Sequence, residues 1–157
     1  MVRDDSGKWH GSKRTEWIGL LSFGFFIVAL GAVWIATPDF SQKVIDFTKS
    51  FNNSRVAENV YLPQPLGDHS TLYTAIMYLT LALAIFQIVV LALRFSFHDS
   101  LDRKAGTVSS MAFWFAATYF LYLLRNGTIK WFPFLAGLII CVGLSITVSS
   151  IVKLFKR

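Results

Sequence analysis

The sequence predicts an all-α integral membrane protein: a bundle of four transmembrane helices with one partly helical outer loop. Three observations carry that prediction. Residues 71–93 run 23 positions without a charged residue, His, Pro or Gly. As a helix that stretch spans about 34 Å, slightly more than the roughly 30 Å hydrocarbon core of a bilayer. Three other long apolar runs, 17–36, 108–124 and 131–152, are separated from it and from each other by short polar segments. Finally, 54% hydrophobic residues and a mean hydropathy of +0.52 exceed what the core of a soluble chain of 157 residues requires.

The first 16 residues mix Arg3, Lys8, Lys13 and Arg14 with Asp4, Asp5 and Glu16. No apolar period runs through them, so they read as a loosely ordered polar arm. Trp9 fits the headgroup level, where amphipathic indoles collect, and the competing reading is a docking element with His10. The run 17–36 is longer than the 7–15 residues of a signal-peptide core, and Trp34 and Ile35 crowd the place where small residues would mark cleavage. It reads as a retained span flanked by Trp17 and Trp34. Gly24 and Gly31, seven apart, share one side of it.

Residues 37–70 form the one long connection. Thr37 is placed to cap a helix that has Pro38 at its first position, and Phe40, Val44, Phe47 and Phe51 then recur at helical spacing. The expectation is a helix over about 38–51, lying in the membrane surface on these four residues or packed on the ends of the protein's own spans. The stretch Leu62-Pro63-Gln64-Pro65-Leu66-Gly67 reads as irregular loop because of its prolines.

Span two ends at Arg94. The run 108–124 is short for a crossing, but it becomes long enough if helix begins near Ser100, where Asp99 and Arg103 stand four apart. Asn126-Gly127 is a tight-turn pair, which makes spans three and four antiparallel neighbours. Along span four, Gly137, Cys141, Ser145 and Ser149 follow at successive steps of four. Small residues at this spacing form a continuous face that lets another helix approach closely. The seam reads as a packing face, within the chain or between subunits, with a substrate groove as the alternative.

With four spans, the N-terminus, the 94–107 connection and the C-terminus share one side and hold ten basic residues: Arg3, Lys8, Lys13, Arg14, Arg94, Arg103, Lys104, Lys153, Lys156 and Arg157. The other side has five, Lys43, Lys49, Arg55, Arg125 and Lys130. The positive-inside rule therefore puts both termini in the cytoplasm of a cell-membrane protein. Two Asn-x-Ser/Thr sequons, at Asn52 and Asn126, then fall outside. The net charge of +6 is distributed between spans and not gathered on a soluble face, which argues against a nucleic-acid partner.

All 24 charged residues and all three histidines lie outside the spans. Intramembrane ionisable groups mark proton relays and coupling sites, so their absence weighs against coupled transport. No histidine pair brackets a haem, His98-Asp99 supplies only two metal ligands, and Cys141 is the sole cysteine. The span-four serines have no His or Lys at their depth to act as a base. No cofactor is implied. Gln87, about six residues inside span two, reads as an interhelical hydrogen-bonding group, with a ligand-orienting amide as the sharper alternative.

The functional expectation is a non-catalytic accessory or scaffolding subunit, acting through helix packing with itself or other membrane subunits. The runner-up is a small oligomeric channel or transporter lined by hydroxyls and backbone, and a membrane enzyme ranks third. The topology is testable with single cysteines at positions 6, 54 and 100 in a Cys141→Ser background. In intact cells, an impermeant thiol reagent should label only the cysteine replacing Ser54; labelling of the other two without it reverses the orientation.

Overall fold

The computed structural model describes residues 10–57, 60–97 and 101–154. In chain order these form α1 (His10–Ala36), α2 (Phe40–Lys49), β1 (Phe51–Ala57), β2 (Val60–Pro65), α3 (Ser70–Ser96), α4 (Leu101–Arg125) and α5 (Trp131–Leu154). Four of these helices are long and apolar enough to cross a membrane: α1 from Trp17 onward, α3, α4, and α5 as far as Ile151. Trp9, His98, Asp99 and the last basic residues, Lys156 and Arg157, lie outside the described residues, and so does the Asp99–Arg103 pair.

α4 is the hinge of the arrangement. It packs along α3 on one side and along α5 on the other, and α1 rests on α3 by a narrower contact. No packing of similar extent returns from α5 to α1, so the row is open at α1. α4 reaches its length by starting at Leu101, ahead of the apolar run, and its 25 residues cover about 37 Å. At the end that carries the 37–70 connection, α3, α4 and α5 converge on Met77, Leu121, Leu124 and Phe134, with Tyr73, Phe120, Trp131 and Leu138 packed against them. Toward the opposite end the buried positions are small: Ala84, Ala105, Thr107 and Ser109. Where α3 turns toward α4, Arg94 Nη1 donates to the Arg103 carbonyl at 2.8 Å, and Lys104 Nζ sits 4.5 Å from the centre of the Phe95 ring. α1 meets α3 through Phe25 and Phe86, whose rings stack with centroids 3.9 Å apart.

Three expectations are corrected here. The polar arm is not irregular throughout, because helix α1 begins at His10, seven residues before Trp17. The outer helix is shorter than 38–51, and Thr37 does not cap it. The Thr37 N–H instead closes α1 by donating to the Val33 carbonyl, and the N-cap is Asp39, in the left-handed region at φ 53°. A chain reversing from one helix into the next needs such a residue, and Asp tolerates it better than most.

The third correction concerns the proline-rich stretch. Residues Val60–Pro65 form a strand, paired antiparallel with Phe51–Ala57, so the protein is predominantly but not wholly α-helical. The prolines fit because of register. Phe51 pairs with Pro65, Asn52 with Gln64 and Asn53 with Pro63, while the Leu66 N–H donates to the Ser50 carbonyl at 3.0 Å. Even-numbered β2 residues therefore face β1. Pro63 and Pro65 turn their nitrogens to the outer edge, where a ladder hydrogen bond is not required. Those prolines leave the outer edge of β2 without donors at two positions. On the other edge, the Asn53 N–H is taken by its neighbour's Asn52 Oδ1 at 2.8 Å. Both edges are thus blunted against further strand pairing.

α4 ends in a glycine turn. The N–H of Thr128 bonds to the Leu123 carbonyl and that of Gly127 to the Leu124 carbonyl, with Gly127 at φ 68°. This double closure satisfies the last carbonyls of the helix and turns the chain into α5. Pro133 is accommodated in the first turn of α5, where an N–H would have no helical partner. A Cβ at Gly127 would meet nothing within 4 Å, so Gly127→Ala isolates the backbone effect. It should cost about 1 kcal/mol, read as a lowered unfolding temperature in detergent.

Candidate functional site

Two places concentrate chemistry among the described residues: the faces joining α3, α4 and α5, and the cap built on His69. The α5 face carries Gly137, Cys141, Ser145 and Ser149. Gly137 and Cys141 are buried, Ser145 and Ser149 partly so, whereas Ile139, on the other side, is 73% exposed. The neighbour is α4. A Cβ placed on Gly137 would come within 2.5 Å of the Phe120 ring, so the glycine makes the space that the ring fills. Ser145 Oγ donates to the Ser109 carbonyl at 3.2 Å.

The interhelical polar contact lies elsewhere than at Gln87. Gln87 is partly buried on α3 and makes no hydrogen bond among the described residues. Thr80 of α3 and Thr118 of α4 bridge the helices instead, their hydroxyl oxygens 2.9 Å apart. Thr80 is also 2.9 Å from the Met77 carbonyl and Thr118 2.8 Å from that of Trp114. Whichever hydroxyl donates across the interface, the other donates to its own backbone, so neither is left unsatisfied. Both threonines are visible in the sequence. Nothing in their spacing marks them as a pair, because their adjacency depends on the rotation of α3 against α4.

The cap is aromatic. Phe47 on α2 lies 5.1 Å from Phe51, 5.2 Å from His69, 5.8 Å from Trp131 and 6.2 Å from Tyr73, measured between ring centres, mostly edge to face. Phe51 itself is in β1 and adds a contact to Trp131 at 5.8 Å. Phe40 rests on Trp34, and Val44 is exposed. Of the predicted stripe, Phe47 and Phe51 thus pack on the ends of α3 and α5, which clamps the α2–hairpin unit onto the helices.

His69 locks this cap. Its Nε2 is 2.9 Å from Ser50 Oγ and 3.2 Å from the Leu66 carbonyl, while Ser50 Oγ donates to the Phe47 carbonyl at 2.7 Å. With the serine hydrogen engaged and a carbonyl on the other side, Nε2 must carry the proton. Histidine donates to serine here, the reverse of what a general base does for a nucleophile. Asp68, next in line, accepts the Ser70 N–H at 2.8 Å, and that bond holds its carboxyl below the usual carboxylate range. Among the described residues no group of three His, Cys, Asp or Glu side chains is placed to hold a metal ion. No known protein family, curated protein or solved structure matches this chain.

The contact of α5 with α4 gives a graded test. Gly137→Leu should overpack against Phe120 and cost about 1–3 kcal/mol, while Ile139→Leu should cost less. In the Phe120→Leu background, Gly137→Ala should lose part of its penalty, giving a coupling of about 0.5 kcal/mol or more in a double-mutant cycle of unfolding in detergent. Equal tolerance at positions 137 and 139 would show that the seam does not set this packing.

Proposed function

We propose that this chain is a multi-pass protein of the cell membrane, with both termini cytoplasmic, acting as a non-catalytic accessory or scaffolding subunit. Its working surface is helix packing, with lipid, with another membrane subunit or with a second copy of itself. One observation carries the proposal. Over Trp17–Ala36, α1 is an apolar helix seated chiefly on α3 with a smaller contact to α2; among these residues Ile18 and Ala29 are the buried ones, and most of the remaining surface is uncovered. Gly24 and Gly31 belong to that uncovered surface, with nothing within 4 Å of where a Cβ would stand. A helix held this lightly, at the open end of a row, is suited to receive another helix.

The channel reading gains no comparable support. It relies on the small-residue face of α5 lining a path, and that face is turned to α4, with Phe120 against Gly137 and Ser109 against Ser145. The subunit reading is tested by extraction in mild detergent followed by mass determination. A defined complex is expected, with Gly24→Leu and Gly31→Leu each reducing recovery of the partner several-fold while leaving the protein folded. A monomer unaffected by either substitution would overturn the proposal, and a symmetric ion-conducting oligomer would favour the channel.

A further inference from the structure

A polar cavity of about 190 Å³ lies between α2 and the start of α3. Lys43 and Asp46 of α2 face it, together with Asp68, His69, Thr71 and Leu72 around the first turn of α3. A single water needs only about 10–15 Å³ of such space, so the cavity admits a larger guest. Lys43, Asp46 and Asp68 share it without forming an ion pair with one another. One carboxylate oxygen on each acid is held from behind, Asp46 by Gln42 Nε2 at 3.2 Å and Asp68 by the Ser70 N–H at 2.8 Å. Their second oxygens are unclaimed by any described group, and the ammonium of Lys43 is likewise unpaired.

The guest must carry both signs of charge. A purely anionic ligand would meet two carboxylates for one lysine, and a simple cation would leave Lys43 unanswered. Depth narrows the choice further. Thr71 and Leu72 open an apolar helix of 27 residues, so in a spanning protein the cavity floor stands where lipid head groups begin. A phosphate joined by two carbons to a primary ammonium suits the site: the phosphate meets Lys43, and the three ammonium hydrogens are shared between Asp46 and Asp68. A choline head group has no N–H hydrogen to donate, and no Phe, Tyr or Trp ring lines the cavity to receive its quaternary nitrogen.

We propose that this cavity binds the head group of phosphatidylethanolamine, with its ammonium between Asp46 and Asp68 and its phosphate on Lys43. The inference rests on the membrane-spanning part of the proposed function and not on the subunit role. The full chain, extracted in mild detergent, would be incubated with equal amounts of phosphatidylethanolamine, phosphatidylcholine and phosphatidylglycerol of matched acyl chains. Bound lipid would then be quantified by mass spectrometry. Phosphatidylethanolamine should be retained several-fold over the other two. Lys43→Gln and Asp46→Asn, both on the exposed helix α2, should each lower its retention by about tenfold, the scale of one lost charge-assisted contact. Helicity and unfolding temperature, checked for each variant, should stay at wild-type values.

Free phosphoethanolamine separates the two sources of this head group. Retention of the lipid in its presence is expected, and displacement at equal concentration overturns the assignment to lipid. Equal retention of phosphatidylglycerol, or retention of phosphatidylethanolamine undiminished in both variants, also overturns it. Protein found in the membrane fraction but lacking head-group preference counts against the cavity alone. Protein recovered outside the membrane fraction counts against the spanning reading as well.

Discussion

Helices surrounded by lipid gain little by hiding apolar side chains from one another, because the solvent is as apolar as they are. Association there depends on close approach and on the few hydrogen bonds that cross between helices; in this protein, whose four long helices are apolar enough to cross a membrane, both are gathered on α4. Against α5 the approach is set by Gly137, which admits the Phe120 ring, and by the Ser145 contact with the Ser109 carbonyl. Against α3 it is set by the Thr80–Thr118 hydroxyl pair and by fully buried alanines such as Ala84 and Ala105. α1 has no share in this. Its hold on α3 is a ring stack and a narrow edge, and Gly19, Gly24 and Gly31 all stand open.

The end of the bundle that carries α2 and the hairpin is held by different physics. There the chain leaves the apolar helices, and the α2–hairpin unit is too small to make a core of its own, since a lone two-stranded hairpin is marginal in water. It borrows one from the helix ends. Phe47 and Phe51 insert between His69, Tyr73 and Trp131, and Ser50, Leu66 and His69 tie the unit by hydrogen bonds at the same point. The same docking leaves the polar cavity between α2 and α3, so the cap shapes a charged recess at the helix ends.

Hydroxyl groups serve the interior economically. In the Thr80–Thr118 pair, the hydroxyl that does not donate across the interface donates to its own backbone, and Thr107 bonds to the Arg103 carbonyl of its own helix. A carboxamide has more polar atoms than one backbone carbonyl can satisfy. Gln87 makes no hydrogen bond among the described residues, while Thr80 and Thr118 make the contact between α3 and α4.

The residues alone determined the number, positions and approximate lengths of the long helices, because an uninterrupted apolar run and a charge-bearing boundary are local properties. The turn at Asn126-Gly127 was legible for the same reason, since only a residue without a Cβ takes φ 68° at little cost. The small-residue face of α5 could be written down as a face, though not assigned a neighbour. Tertiary structure decided the rest. It chose α4 as that neighbour, turned Phe47 and Phe51 onto the bundle, and made a strand of the proline-rich segment by placing both proline nitrogens on an edge. Each of these outcomes depends on the rotation, register or depth of one element against another, and those quantities are set by contacts between residues far apart in the chain, where no local pattern records them.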